Sequence, residues 1–389
     1  MRLAALDHWV CPITGSPLSV EAFETKQFPL SDDYAARAWR MGLDQSRLQP
    51  DVKEGVLYGE PGGYWYPIIN HVPILMDRAI ALHDEFKNKY KEQSFAIRDR
   101  KQPDQASRPG EDIQQRVFTR EWNTLAVDDL SFGLDPDQRD KFITTELEWD
   151  SNAADALPLI FEAGCGSGFE ARSLDRVTKG YVFGIDMNLT VIRNGATHAI
   201  NPFTNLAVAS IFAIPVRSKA FDIVYSSGAL HHTYSTKEAF DSILKARKDD
   251  GQIYIWVYAL EDMAKTKGRR AAFSIEEIVR PRIAQMSERW QSILVRALAE
   301  YQCRRYRKKG PYNKDKWQLR NAEHEVRDRW TVRYAHRHSF HEVISWYVES
   351  QLDYKLVDPV AYFDRLKVPF FGIGIRGYPR KSIASRLDQ

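Results

Sequence analysis

The sequence predicts an α/β fold: an open, doubly wound, mostly parallel sheet of seven strands, with a small β-rich N-terminal unit before it and a helical insertion after its fifth strand. Three observations carry this expectation. From about residue 157, short apolar runs alternate with helix-spaced segments, the pattern of a parallel sheet covered on both faces. A glycine-rich loop, Glu162-Ala163-Gly164-Cys165-Gly166-Ser167-Gly168, joins the first apolar run to the first helix. Asp186 stands at the end of the second run, 18 residues beyond Gly168.

Taken in order, Leu157 to Phe161 is the first strand and Phe169 to Val177 the helix that follows it. Gly180 to Ile185, Leu206 to Ala209, Phe221 to Tyr225 and Gly251 to Val257 are the next four strands, with helices over Leu189 to Ala199 and Thr236 to Ala246. Ile275 to Val279, Ile283 to Met286 and Trp290 to Ala299 carry helix-spaced apolar positions and form the insertion. Ser339 to Val348 reads as a helix, and Tyr354 to Val357 with Phe371 to Arg376 as a closing hairpin. Upstream, the turn residues of 12–17 and 59–63, with runs at Val56 to Tyr58, Tyr64 to Ile69 and Val72 to Leu75, suggest short strands. The division expected is therefore a unit over 1–80, a charged linker over 81–112 that starts with a helix from Ala79 to Gln93, a core over 113–260, the insertion over 261–330, and closing elements over 331–389.

Composition narrows the class. The chain has 389 residues, 43% of them hydrophobic and 28% charged, as in a globular protein with room for a sizeable core. No apolar run approaches the roughly 18 residues of a membrane span. Met1 to Val10 is broken by Asp7 and His8 and lacks a signal-peptide core, so a cytoplasmic location is expected. Cys11, Cys165 and Cys303 are too dispersed for a disulfide framework or a metal clip. A net charge of +3 does not by itself imply nucleic acid, although Arg304 to Lys309 and Lys314 to Arg320 form a basic stretch, either a solvated face or a phosphate contact.

The loop after the first strand has a mechanism. Gly164, Gly166 and Gly168 let the backbone turn sharply and approach a ligand, and Asp186 at a strand tip can accept both hydroxyls of a ribose. A nicotinamide dinucleotide would use a similar layout. The spacing here is G-x-G-x-G with Phe169 where the third glycine of the dinucleotide fingerprint would fall, and Glu162 would repel a pyrophosphate but suits a cationic amine.

Residues 157–260 resemble the class I S-adenosylmethionine-dependent methyltransferases, a Rossmann-like family, in the subgroup whose fourth strand ends in Leu-His-His. FEAGCGSG (161–168), GIDMN (184–188), FDIVYSSGALHHT (221–233) and GQIYIWVY (251–258) carry the likeness. The resemblance implies S-adenosylmethionine as cofactor. It assigns Glu162, Gly164 and Gly166 to the methionine portion, Asp186 to the ribose, Met187 to a place beside the adenine, and Ser226 to Gly228 to the neighbourhood of the sulfonium. Cys165 reads as a packing residue of the loop. The family places an acid for the adenine amino group where this chain has Ser210, followed by Ile211, and a serine accepts without charge assistance. Phe118 and Trp122 resemble a Phe-x-x-x-Trp segment that lids the cofactor in a group of bacterial methyltransferases, and fit a core-packing helix equally well.

His231 and His232, at the end of the fourth strand, are candidate bases, with burial under the loop as the other reading. Trp330, Tyr334, His336 and His338 resemble the C-terminal acceptor roof of the same bacterial group, and no metal is expected there. The N-terminal unit resembles the small zinc-ribbon-like activators of methyltransferases, but Cys11 alone remains of the paired ligands, so no zinc is expected. The function expected is in-line methyl transfer to an O or N atom of a small-molecule, sugar or lipid-linked acceptor. An RNA methyltransferase and an inactive cofactor-binding partner of another methyltransferase remain open.

Overall fold

The computed structural model describes residues 1–126, 129–150, 157–260, 267–309, 313, 315–357 and 372–380. The N-terminal sheet has four antiparallel strands in sequential order, β1 (Ser19–Lys26), β2 (Asp51–Tyr58), β3 (Trp65–Ile69) and β4 (Val72–Pro73). Helix α1 (Asp32–Arg40) lies between β1 and β2, and α2 (Ala81–Tyr90), α3 (Phe95–Asp99) and α4 (Glu111–Trp122) follow the sheet. Strand β1 and helix α1 were not read from the sequence: β1 carries Glu21, Glu24 and Lys26 and exposes most of its side chains, so it shows no apolar alternation.

After α5 (Pro136–Leu147) comes the large sheet: β5 (Leu159–Ala163), α6 (Phe169–Thr178), β6 (Tyr181–Asp186), α7 (Thr190–Arg193), α8 (Gly195–His198), β7 (Thr204–Val208), β8 (Phe221–Ser227), α9 (Thr236–Leu244) and β9 (Arg247–Tyr258). Helices α10 (Lys267–Gln285), α11 (Glu288–Lys309) and α12 (Leu319–Trp330) form the insertion, and α13 (Phe340–Glu349), β10 (Leu352–Leu356) and β11 (Gly372–Pro379) complete the fold. The strand order is β10-β11-β9-β8-β5-β6-β7. Strands β5 to β9 are mutually parallel, and β11 enters antiparallel between β9 and β10. The chain reverses its direction of travel across the sheet at β5, which opens a crevice beyond the carboxyl ends of β5 and β8. The helix expected over Leu189 to Ala199 is two short turns broken at Asn194, because Asn194 and Gly195 disfavour a continuous helix. The expected last strand begins at residue 371, outside the described residues.

Two expected boundaries need correction. The N-terminal unit shares one core with the large sheet: Trp9 packs edge-on to Phe183 at 5.1 Å, and Tyr66 and Leu75 belong to the same buried cluster as Phe161 and Phe221. Leu75 N–H donates to Val208 O at 2.8 Å, so the segment after β4 pairs with the outer edge of β7. Arg37 of α1 reaches Asp175 of α6 at 2.6 Å and lies over the Phe203 ring. Nor is 81–112 a linker. It holds α2, α3 and the start of α4, and two of its charges pair with the segment after β4: Arg108 with Asp77 at 2.9 Å, and Asp112 with Arg78 at 2.9 Å. Cys11 is buried, its Sγ 3.1 Å from the Tyr66 hydroxyl. Among the described residues no group of His, Cys, Asp or Glu could hold a metal ion, and no helix is long and apolar enough to cross a membrane.

Beneath the sheet, Glu146 of α5 accepts from the hydroxyls of Tyr225 at 2.5 Å and Tyr254 at 2.6 Å. Burial outweighs those two donors and raises its carboxyl to about 8. The folded state therefore favours the protonated form, and the stability this confers is complete below about pH 4.5 and is lost as pH rises through about 8. Melting temperature should fall over that window in the native chain, and Glu146→Gln should flatten the fall. Trp9→Ala should lower the free energy of denaturant unfolding by about 3–5 kcal/mol, with the large sheet melting in the same transition.

Candidate functional site

The crevice is a cavity of about 880 Å³ counting its open mouth. Its floor is the loop after β5. Gly164 (φ +85°), Gly166 (φ +57°) and Gly168 (φ +88°) all lie in the left-handed region. The N–H groups of Gly164 and Cys165 donate to Ile185 O at 2.8 and 3.0 Å, which folds the loop back onto β6.

Asp186 closes the other side. Its Oδ2 accepts from Gly166 N–H at 2.8 Å and its Oδ1 from Asn188 N–H at 2.9 Å, while Asn188 Nδ2 returns a bond to Gly166 O at 2.8 Å. The carboxylate so held lines the cavity. Burial raises the Asp186 carboxyl, against the pull of those N–H groups. Glu162 lies below the loop with Oε2 lacking a hydrogen-bond partner among the described residues, and burial, then the charges of Glu170 and Asp186, push its carboxyl well up.

Helix α4 covers this floor. It starts at Gly110 (φ +73°), where an acidic first turn favours the positive end of the helix dipole. Gln115 Nε2 donates to Met187 O at 2.9 Å and Gln114 Nε2 to His232 O at 2.6 Å, tying the helix to the loops after β6 and β8. Phe118 and Trp122 line the cavity, and the Trp122 ring lies so close over Gly166 that a Cβ there would meet it at 2.4 Å. Glu111 also lines the cavity and accepts from Ser210 Oγ at 2.6 Å. A carboxylate thus reaches the neighbourhood of Met187, Ile211 and Phe212 from a different element than the strand that ends at Ser210.

Opposite, His232 lines the cavity. Its Nδ1 donates to Tyr334 O at 2.9 Å and its Nε2 lies 3.2 Å from Asp328 Oδ1. Asp328 comes from α12, and its Oδ2 accepts from the Tyr258 hydroxyl at 2.7 Å. Burial works to raise the Asp328 carboxyl, but His232 and the Tyr258 hydroxyl hold it below the usual range.

Of the residues singled out in the sequence, Gly164, Asp186, Met187, Ile211, Phe118, Trp122, His232 and Tyr334 meet at this cavity. Others do not line it. The His231 ring is fully buried against Tyr258, with centroids 3.9 Å apart, and burial followed by the neighbouring His232 lowers its pKa well below the ordinary value. His338 is held between Thr236 at 2.9 Å and Glu342 at 2.8 Å. His336 stacks on Tyr334, and Trp330 packs on the buried face shared by α11 and α12. Ser226 Oγ donates to Ala163 O at 2.7 Å, clipping β8 to β5, and Ser227 and Gly228 take its expected place. Cys165 is a buried packing residue, with burial raising its thiol.

Glu111, Glu121, Phe132, Glu170 and Asp328 line the cavity and were not foreseen. Glu111 had a local signal, an acid just after Arg108-Pro109-Gly110 at a helix start. Asp328, between Arg327 and Arg329, had none.

Residues 161–255 match the Methyltransf_11 family, a methyltransferase domain. The matched segment runs from β5 into β9, so it holds the glycine loop and Asp186. A 95-residue stretch is similar to the mitochondrial arginine-hydroxylase NDUFAF5 of Mus musculus, at 33% identity over 24% of this chain and 27% of the mouse protein. The human counterpart shows 31% identity over the same shares. The chain thus matches about a quarter of the length of these curated relatives. Among solved structures it is similar to YcgJ of Bacillus subtilis, at 14% identity and a TM-score of 0.36, over 63% of this chain and 99% of that one. It is also similar to phosphoethanolamine N-methyltransferase 2 of Haemonchus contortus, at 11% identity and a TM-score of 0.39, over 71% of this chain and 61% of that one.

A methyl group at position 164 would lie 2.1 Å from the Ala229 Cβ in a conformation L-residues rarely adopt. Gly164→Ala should destabilise the fold by about 1–3 kcal/mol in denaturant unfolding. Adding Ala229→Gly should restore the steric share and leave the backbone share, so recovery should be partial.

Proposed function

We propose that the chain is a methyltransferase that binds S-adenosylmethionine in this cavity and passes its methyl group to a small molecule admitted beneath α4 and α12. The observation that carries the reading is the Asp186 carboxylate, fixed by backbone N–H groups at the rim of a glycine loop and lining the cavity. Such a carboxylate suits a pair of ribose hydroxyls. The Gly164 to Gly168 backbone and Glu162 suit the amino acid portion. Glu111, with its Ser210 partner, stands ready to accept from the adenine amino group, and Met187 and Ile211 offer apolar faces beside it.

The cofactor supplies an electrophilic methyl group on a sulfonium. The chain's own residues then have three tasks. Helix α4 excludes water through Phe118 and Trp122, whose rings also favour a cation. The loops of β5, β6 and β8, stitched by Gln114 and Gln115, hold the reacting partners in line. His232, the one of the two histidines that reaches the cavity, handles the proton of the acceptor. The inactive-partner reading rested on Ser210, and Glu111 removes that support by bringing a carboxylate to the same place.

Calorimetric titration with S-adenosylhomocysteine should show micromolar binding, reduced about 10- to 100-fold by Asp186→Ala. Native protein should prefer S-adenosylhomocysteine to S-inosylhomocysteine, whose ring carries an oxygen in place of the amino group, and Glu111→Gln should erode that preference. Failure of the native protein to bind S-adenosylhomocysteine would overturn the reading.

A further inference from the structure

We infer that the acceptor is a protonated amine, seated against Asp328 of α12 and delivered to the methyl group by the Asp328–His232 pair. The inference rests on the methyltransferase reading above and adds to it the chemical class of the acceptor.

The charge of the cavity wall is one-sided. Five carboxylates line it, and among the described residues no Lys or Arg does. Three of the five are already engaged. Glu111 is bonded to Ser210, Glu170 is paired with Arg139, and Asp186 is clasped by Gly166 and Asn188. Of the other two, Asp328 is shared by the Tyr258 hydroxyl and His232, and its charge bears on Glu121.

Glu121 lacks a full complement of partners. Glu121 is 1% exposed, and its Oε2 has no hydrogen-bond partner among the described residues. Its nearest ring, His324, lies 3.6 Å from Oε1, and burial lowers that histidine to about 4, so it is neutral and offers Glu121 no positive charge. Burial, then the charge of Asp328, drives the Glu121 carboxyl well up, against the charge of Arg327. Buried acids facing a chamber whose wall holds no Lys or Arg among the described residues are relieved by a cation and aggravated by an anion. A sugar hydroxyl would leave the imbalance in place, and a phosphate or carboxylate would worsen it. Phe118, Trp122 and Phe132 add ring faces and edges around the same space, with Trp122 and Phe132 6.2 Å apart, which favours an organic cation.

The proton has a defined route. His232 Nδ1 is occupied by the Tyr334 carbonyl, so Nε2, beside Asp328, is the atom that exchanges a proton. With His232 in its neutral form, Nδ1 protonated and Nε2 bearing the lone pair, the ammonium passes one proton to Nε2, and Asp328 stabilises the imidazolium formed. The lone pair thus freed on nitrogen forms the new N–C bond as the methyl's C–S bond breaks, the electron pair of that bond staying on sulfur.

The test is a matched series of S-adenosylhomocysteine analogues. Nitrogen replaces sulfur and carries a two-carbon arm ending in ammonium, hydroxyl or carboxylate. The ammonium arm should bind at least about tenfold tighter than the hydroxyl arm, with the carboxylate weakest. Asp328→Asn should bring ammonium and hydroxyl within about threefold, each affinity taken relative to that of S-adenosylhomocysteine on the same variant. Equal affinities, or a preference for hydroxyl or carboxylate, in the native protein would overturn the inference whatever the variant does. If S-adenosylhomocysteine fails to bind, the cofactor reading fails instead.

Discussion

The clasp between Asp186 and the Gly166 N–H is the interaction on which the site depends. It joins the tip of β6 to the loop after β5, beside the point where the sheet changes its direction of growth. With Asn188 bonded back to Gly166 O, the two loops become one rigid rim. Trp122 can then lie directly on Gly166, and α4 can reach over both loops, because the rim beneath offers no side chain to hold it off.

The catalytic sheet does not build the chamber alone. Helix α4 arrives from the N-terminal side and brings Glu111, Phe118, Glu121 and Trp122. Helix α12 arrives from the insertion and brings Asp328. Arg333 N–H donates to Gln114 Oε1 at 2.7 Å and Tyr334 hydroxyl to Pro109 O at 3.0 Å, so the segments before and after the core are joined above the cavity. The core fixes the cofactor end, and the additions decide what can approach it.

The large sheet was legible in the sequence because its signals are local. Apolar runs, glycines and an acid at a strand tip each have a chemical reason at their own position. The site around it was less legible for physical reasons. Residues 81–112 are rich in charge, and composition does not distinguish charges that face water from charges that find partners across the fold, as Arg108 and Asp112 do. His231 and His232 are neighbours in sequence, yet the turn at Leu230–His232 sends one ring under Tyr258 and the other into the cavity. The expected roof residues His336 and His338 have the right chemistry and the wrong direction. Asp328 lies in an ordinary charged helix, and only the packing of α12 over β9 gives it meaning.

The pairing of residues 74 and 75 with Val208 has a further consequence. Strand β7 is the last in its sheet, and an outermost strand with free N–H and C=O groups is a template for another chain. Here a short extended segment from the N-terminal unit occupies that template. At the other margin, β10 carries Asp353 and Lys355, charges that oppose strand addition. The N-terminal unit therefore guards the margin of the large sheet as well as sharing its core: a protein lacking residues 1–76 would present a barer sheet margin to other chains.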